Sequence, residues 1–312
     1  MASLQLKDQD LKGKVAVITG ASRGIGGAVA MKLATRGCSI LGTCSSAVNI
    51  EMIQSMHEEI DVLYNDAKAD RSSKIVGISA DILSPTCAQT IADALAEHFA
   101  GRVDIFVNNA ADSGTGTIGE LTVEEIQKSM ISNIQTPVLI VDELVKRTMF
   151  QLESRIIYIS SVRSRQPWSM QLMYAAGKSA GESLCRSWSQ AFGGREEKVS
   201  DVIFIMSLVI AWLPILAFYQ ELGGILTSTQ FAFMAETTAN AVTVGLTQTD
   251  SVMKCPPDVL EVFKQEFITL QSVPKFGQPE DVADVVSLLC SRDARWITGS
   301  VISASGGGVK IG

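Results

Sequence analysis

Short apolar runs of strand length alternate along the chain with longer stretches whose apolar residues recur every three or four positions. The short runs predict strands at 14–19, 39–43, 74–79, 103–108 and 155–160. The longer stretches predict helices at 24–36, 85–100 and 122–150. Such alternation is typical of α/β proteins, so we expect a parallel, doubly wound sheet with right-handed crossovers. The carboxyl ends of the strands then line one crevice.

A further helix should follow the strand that ends at Ser161. Its apolar residues repeat every four positions: Leu172, Ala176, Ala180, Leu184, Trp188 and Phe192. Tyr174 and Lys178 are also four apart and lie on another side of the helix, so the apolar row can pack while this pair faces a cleft. A cation beside a phenol lowers the phenol pKa and lets it exchange a proton with a substrate oxygen. Taken alone, such a pair is more often a solvated helix surface.

A glycine-rich turn joins the first predicted strand to the first predicted helix. Such a turn lets the backbone approach a pyrophosphate, whose charge sits at the positive helix N-terminus. The segment has the spacing T-G-x-x-x-G-x-G. The residues predicted to bind the cofactor here are Gly20, Ser22, Arg23, Gly24, Ile25 and Gly26.

The end of the second strand bears on the choice of dinucleotide. It reads Cys44-Ser45-Ser46, and no acidic residue follows before Glu51. NAD-specific sites usually carry an acid there for the ribose 2′-hydroxyl, whereas arginine and hydroxyl groups suit a 2′-phosphate. Arg23, Ser45 and Ser46 therefore favour NADP(H), although Arg23 has a simple alternative as a solvated loop residue.

Polar residues also follow the third and fourth strands. Asp81 and Ile82 are placed to contact adenine, and Asn108 and Ala110 follow the next strand. Each of them alone is equally well explained as a turn residue.

Composition narrows the class of protein. The 312 residues are 46% hydrophobic and 19% charged with a net charge of −7, which predicts a globular protein and argues against nucleic acid as a partner. Six cysteines form no CxxC pair, which favours a reducing, cytoplasmic setting. Only two histidines occur, so we expect no metal site.

Together these residues resemble the single-domain short-chain dehydrogenases/reductases. The matching pieces are the 19–26 turn, Asp81-Ile82, Asn108-Asn109-Ala110, Asn133, Ser161 and Tyr174-x-x-x-Lys178. The resemblance implies a Rossmann-type fold over 1–312. It also implies that Tyr174 is the acid/base, that Ser161 binds the substrate oxygen, and that Asn133 holds a relay water. Lys178 would bind the nicotinamide ribose and lower the Tyr174 pKa.

The C-terminal part extends the resemblance, through 276–283 and 296–307. The family's Pro-Gly appears here as Val244-Gly245, with Thr247 near its following threonine, so Gly245 and Thr247 are expected to contact the cofactor. Within the family the chain looks most like ketoacyl-reductase-like enzymes, including fungal polyketide-pathway reductases. Such proteins commonly pair their fourth and fifth helices, which implies a homodimer or homotetramer.

We therefore expect an NADPH-dependent reductase that converts a bulky, apolar or polyketide-like ketone to an alcohol in secondary metabolism. Trp168, Met170, Gln171 and Met173 precede Tyr174 and could line its pocket, with core packing as the alternative for Met173. Residues 246–275 should form a substrate lid. The rival functions are a C=C reductase on the same fold, a non-catalytic NADP-binding protein, and an inactive product.

The segment 199–230 departs from the family pattern. Its residues 202–219 carry no charge, at the lower bound for a membrane span. We expect no transmembrane span, because one crossing would separate the last two strands from the first five. The alternatives are a re-entrant or interfacial segment, an apolar insertion that packs on a surface or partner, and a retained intron. Removing the segment leaves 280 residues, a usual length for the family.

Overall fold

A computed structural model describes residues 5–70, 73–166, 168–193 and 236–310. Its strands form one parallel sheet in the order β3-β2-β1-β4-β5-β6-β7. The strands are β1 Val15–Ile18, β2 Ser39–Cys44, β3 Ile75–Ser79, β4 Val103–Asn108, β5 Phe150–Ser161, β6 Thr238–Val244 and β7 Val301–Ala304. The predicted doubly wound α/β fold is confirmed.

Helices cover both faces of this sheet, which is why β1 and β4 are buried along their whole length. The helices described are α1 Gly24–Ala34, α2 Ile50–Asp66, α3 Cys87–Phe99, α4 Val123–Met130, α5 Thr136–Lys146, α6 Leu172–Phe192, α7 Asp250–Met253, α8 Pro257–Phe263 and α9 Pro279–Leu289. One core cluster includes residues of α1, α2 and α9, and the other includes residues of α3, α5 and α6. The two cores leave the strand ends free to form a site.

The predicted helix at 122–150 is interrupted and shorter. A π-helical turn, Ile131–Gln135, separates α4 from α5, and α5 ends at Lys146. Thr148 then adopts a left-handed φ of 55°, which a β-branched residue rarely takes and which stops the helix. The next strand accordingly begins at Phe150 rather than near 155.

The prediction that the apolar row of α6 packs into the core is wrong for its first half. Leu172 and Ala176 are exposed, whereas Lys178 and Glu182 are buried. The reason is close packing of the helix on β5: a Cβ on Gly181 would overlap the Tyr158 ring. A glycine at this position lets α6 approach the strand closely and carries its polar residues inward.

Residues 246–275 contain α7, α8 and a second π-helical turn, Lys264–Ile268. The segment 199–230 lies outside the described residues, and so does every prediction made for it. Within the described ranges, no helix is both long and apolar enough to cross a membrane.

Candidate active site

A cavity of about 980 Å³ opens at the carboxyl ends of the central strands. This is where open parallel sheets bind their ligands. Most of the residues predicted for the site line it: Gly20, Ser22, Arg23, Gly24, Ile25, Ser45, Ile82, Ala110, Ser161, Tyr174, Lys178, Gly245 and Thr247. The structure therefore gathers residues from distant parts of the sequence around one space.

The other predicted residues are not among those that line the cavity: Gly26, Ser46, Asp81, Asn108 and Asn133. The Ser46 hydroxyl accepts a hydrogen bond from Asn49 Nδ2 at 3.1 Å. Asp81 Oδ1 accepts one from the Leu83 backbone N–H at 3.0 Å. Asn108 is buried, and its Nδ2 has no hydrogen-bond partner within the described part of the chain.

The glycine turn is shaped to receive a dinucleotide phosphate. Gly20 and Gly24 have φ values of 68° and 56°, which only glycine adopts readily. A Cβ on Gly26 would overlap the Gly20 carbonyl oxygen, so this glycine lets α1 start directly against the turn. The first turn of α1 has no acidic residue and no side-chain cap, so its N–H groups remain available to an anion. These features fit a pyrophosphate.

Ser161 and Tyr174 meet at the cavity. Ser161 is the last residue of β5, and its Oγ accepts a hydrogen bond from the Arg163 backbone N–H at 3.2 Å. Burial raises the pKa of Tyr174, while a hydrogen bond with Ser161 and the positive charge of Arg163 oppose that rise. The phenol therefore keeps its proton at neutral pH and has a hydroxyl partner beside it.

Lys178 lies one helical turn after Tyr174 and is fully buried. Its Nζ donates a hydrogen bond to the Ile159 carbonyl at 2.7 Å and lies 5.5 Å from the centre of the Tyr174 ring. Burial lowers the pKa of Lys178 to about 7. The positive charge that opposes the rise in the Tyr174 pKa is therefore that of Arg163.

Asn133 occupies the π-helical turn between α4 and α5. Its Oδ1 accepts from the Asp112 backbone N–H at 3.2 Å, and its Nδ2 donates to the Asp112 carbonyl at 3.0 Å and to Ser129 Oγ at 3.1 Å. Its own main-chain carbonyl accepts from the Tyr158 hydroxyl at 2.9 Å. Asn133 therefore ties the loop after β4 to α4 and to Tyr158 of β5.

A buried acid that was not predicted from the sequence, Glu182, lies behind the site. Its Oε1 accepts hydrogen bonds from Ser160 Oγ at 2.7 Å and Ser164 Oγ at 2.6 Å, and its Oε2 pairs with Arg165 Nη2 at 2.6 Å. This network fixes the end of β5, and with it Ser161, against α6. Glu182 continues the four-residue spacing of Tyr174 and Lys178, which was a usable signal.

Arg163 was also missed. Its guanidinium carbon lies 5.2 Å from the centre of the Trp168 ring and 3.7 Å from that of Phe267. The aromatic partners are about a hundred residues apart in the chain, so no local pattern could connect them. As predicted, Trp168, Met170 and Gln171 line the cavity, whereas Met173 is not among its lining residues.

The parallel sheet, the glycine turn and the Ser161–Tyr174–Lys178 group define a dinucleotide-dependent oxidoreductase. A family model described as short chain dehydrogenase matches residues 14–204, and one described as Enoyl-(Acyl carrier protein) reductase matches residues 232–308. The chain belongs to the short-chain dehydrogenase/reductase family. The described residues contain no cluster of side chains suited to a metal ion.

Curated relatives support this assignment over nearly the whole chain. Short-chain dehydrogenase/reductase FrzI of Cladobotryum sp is 28% identical over 301 residues, covering 96% of each protein. Short chain dehydrogenase penD of Penicillium thymicola is 30% identical over 307 residues, covering 95% of this chain and 92% of the relative. The predicted resemblance to fungal reductases of this family is confirmed.

Solved structures agree with the fold. The angucycline C-6 ketoreductase LanV with bound NADP superposes with a TM-score of 0.73 at 26% identity, covering 97% of this chain and 98% of LanV. A blue fluorescent protein in complex with NADPH gives a TM-score of 0.71 at 27% identity, covering 96% of this chain and 100% of that protein. The enzyme class is confirmed, and the NADP(H) prediction agrees with the cofactors held by these neighbours.

Proposed function

We propose that the protein is an NADPH-dependent reductase that converts a ketone to an alcohol. The observation that carries this proposal is the arrangement of Ser161, Tyr174 and Lys178 around one cavity whose rim is a phosphate-binding glycine turn. Ketoreductase neighbours that hold NADP support the same conclusion.

The cavity offers each part of NADPH a set of contacts. The 20–26 turn and the α1 N-terminus suit the pyrophosphate, and the exposed Arg23 with Ser45 suits a 2′-phosphate. Lys178 would bind the nicotinamide ribose, and Gly245 and Thr247 would contact the nicotinamide amide. When bound, the reduced nicotinamide supplies the hydride.

The protein's own residues manage the proton. Tyr174 keeps its proton at neutral pH because burial raises its pKa, so it can donate that proton to the substrate oxygen. Ser161 donates a hydrogen bond to the same oxygen and stabilises the negative charge that develops there. The Glu182 network supports this step by fixing the position of Ser161.

A bulky, largely apolar substrate fits the lining of the cavity. Trp168 and Met170 line one side, and residues from the segment 246–275, such as Val259 and Phe263, line another. We propose that 246–275 acts as the lid. The similar proteins include an angucycline ketoreductase and a probable tetrahydroxynaphthalene reductase of Zymoseptoria tritici, which supports a role in secondary metabolism.

The proposal includes a homodimer or homotetramer in the cytoplasm. The exposed start of the apolar row on α6, Leu172 and Ala176, supports pairing through this helix. Met130 at the end of α4 and Leu139 on α5 are also exposed apolar residues. We also propose that 199–230 is an insertion, since the two family models leave 205–231 unmatched between them.

A second candidate is the reduction of a C=C bond, which the description of the family model that matches residues 232–308 favours. NADPH oxidation should be measured with a panel of aromatic and acyl ketones and with matched enones. The ketone proposal expects turnover of ketones, whereas turnover of enones alone would replace it.

The variant Tyr174→Phe separates an enzyme from a non-catalytic NADP-binding protein. We expect turnover to fall by a factor of about 10²–10⁴ while NADPH affinity is kept, because the proton donor is lost and the ring remains. Tyr64→Phe, which removes a hydroxyl from the core near Gln9, is the matched control. Unchanged turnover in Tyr174→Phe would remove the catalytic assignment.

A further inference from the structure

Arg163 is a buried cation that has no anionic partner among the residues that the structure describes. The residue is 8% exposed, and its Nη1 has no hydrogen-bond acceptor within the described residues. Arg155, which is also buried, donates from Nη1 to the carbonyls of Glu153 and Ser154. The neighbouring Arg165 pairs with Glu182 at 2.6 Å. A buried charge without a partner is costly, so an anionic ligand that pairs with Arg163 would be stabilised there.

The surroundings of Arg163 fix its position and leave it facing the cavity. Its backbone N–H is bonded to Ser161 Oγ, and its guanidinium lies over the rings of Trp168 and Phe267. Trp168, Phe263 and Phe267 pack edge to face or tilted, with ring centres 5.7–6.0 Å apart. All four side chains line the same cavity as Tyr174. Rings hold a guanidinium by its flat face, so its N–H groups stay available in the plane.

The charges around Arg163 select the kind of anion. Burial lowers the pKa of Arg163, and negative charge on Tyr174, when that phenol is ionised, and on Glu266 opposes that lowering. Glu266 lines the cavity too, but no ion pair joins it to Arg163. One cation with a carboxylate nearby suits a singly charged ligand better than a doubly charged phosphate. A planar carboxylate also matches the fork of the guanidinium.

We propose that Arg163, held between Trp168 and Phe267, binds a carboxylate of the substrate, so that the natural substrate is a ketone that carries a carboxylate on a flat apolar body. This inference rests on the proposed ketone reductase function and names its substrate class. The aromatic cluster would contact the flat body while Tyr174 and Ser161 hold the ketone oxygen.

The test measures affinity rather than turnover. Binding of 3-acetylbenzoate and of its methyl ester is followed by calorimetry in the presence of NADP⁺, which cannot reduce either compound. We expect the wild-type protein to bind the acid about 10- to 100-fold more tightly than the ester, the range for a hydrogen bond to a charged group. Equal affinities, or a preference for the ester, would overturn the proposal without any variant.

Variants then assign the preference to Arg163. Arg163→Met should reduce the acid-to-ester ratio to about one while changing the ester affinity little, and Arg163→Lys should keep part of the preference. Glu266→Gln should increase the ratio, because it removes a like charge near the ligand. A preference that survives in Arg163→Met, or a ratio that falls in Glu266→Gln, would contradict the assignment.

The two proposals fail in different ways. If no ketone is reduced but the acid preference depends on Arg163, the reductase assignment fails and the carboxylate site stands. If ketones are reduced and the acid is not preferred, only the carboxylate site fails.

Discussion

Lys178 is a charged residue whose burial opposes its protonation. Burial lowers its pKa from 10.5 to about 7, and its single hydrogen bond in the structure goes to the Ile159 carbonyl. Between pH 7 and 10.5 the unfolded chain therefore holds a proton on this lysine that the folded protein does not. Stability must then rise with pH in that interval, because the unfolded state binds more protons.

Comparison of wild type with Lys178→Met isolates this effect. The free energy of unfolding of the wild type, minus that of the variant, should increase by about 1.4 kcal/mol per pH unit above pH 7, because methionine has no proton to lose. Below pH 7 the difference should be constant. Denaturant unfolding of the cofactor-free proteins from pH 6 to 9 measures it. Parallel stability curves over that range would show that Lys178 is not the titrating group.

Among single residues, the sequence predicted those that lie close to one another along the chain. Tyr174 and Lys178 lie four apart on one helix, and Ser161 closes the strand before it. Arg163 could not be predicted, since its environment depends on Phe267, which reaches it only through the fold. Glu182 continues the local four-residue spacing, although its burial follows from tertiary packing of α6 on β5.

The start of α1 shows how one element depends on a glycine. A methyl group at Gly26 would overlap the Gly20 carbonyl oxygen and lie 2.6 Å from Nδ2 of Asn109, a side chain that donates a hydrogen bond to the same carbonyl. At Gly27 the nearest atom is Met56 Cε at 2.9 Å, the end of a flexible side chain. Two adjacent glycines in the same helical turn therefore meet different constraints.

The substitutions Gly26→Ala and Gly27→Ala should therefore differ in their effects on stability and on NADPH binding. We expect Gly26→Ala to lower the free energy of unfolding by about 1–3 kcal/mol and to weaken NADPH binding at least tenfold, because the turn must shift. Gly27→Ala should be nearly neutral, since alanine favours the helix by about 1 kcal/mol over glycine. Melting temperatures and NADPH titrations compare the pair. Equal effects at both positions would refute this account of the turn.

Helix α6 shows where periodicity misleads. The four-residue apolar row predicted a buried face, yet the close approach at Gly181 rotates the Lys178–Glu182 side inward and leaves Leu172 and Ala176 exposed. Apolar spacing indicates which residues can be buried, but the close approach of the two backbones determines which face of the helix is buried. The buried polar face of this helix supports Ser161, so the function explains why α6 departs from the apolar pattern.

For the whole molecule, the sheet joins β5 directly to β6 although 199–230 separates them in the chain. The end of α6 and the start of β6 lie close together. A Cβ on Gly299 would touch Ser189 Oγ at 2.8 Å, and the Gly299 N–H donates to the Ala239 carbonyl at 2.8 Å. A short connection could therefore join them, as the unmatched stretch between the two family models also suggests.

Removal of 199–230 should accordingly leave the fold and the site intact. Ten residues would remain between Gly193 and Glu236, enough to span roughly 33 Å when extended. We expect the 280-residue protein to keep NADPH oxidation and to aggregate less, because an uncharged apolar run is removed. Activity and light scattering are compared with the full chain and with a control in which a ten-residue Gly/Ser linker replaces the segment. Loss of activity in both shortened proteins would show that the segment is an integral part of the enzyme. Sequencing the transcript tests the retained-intron hypothesis, which a mature message that still encodes 199–230 would rule out.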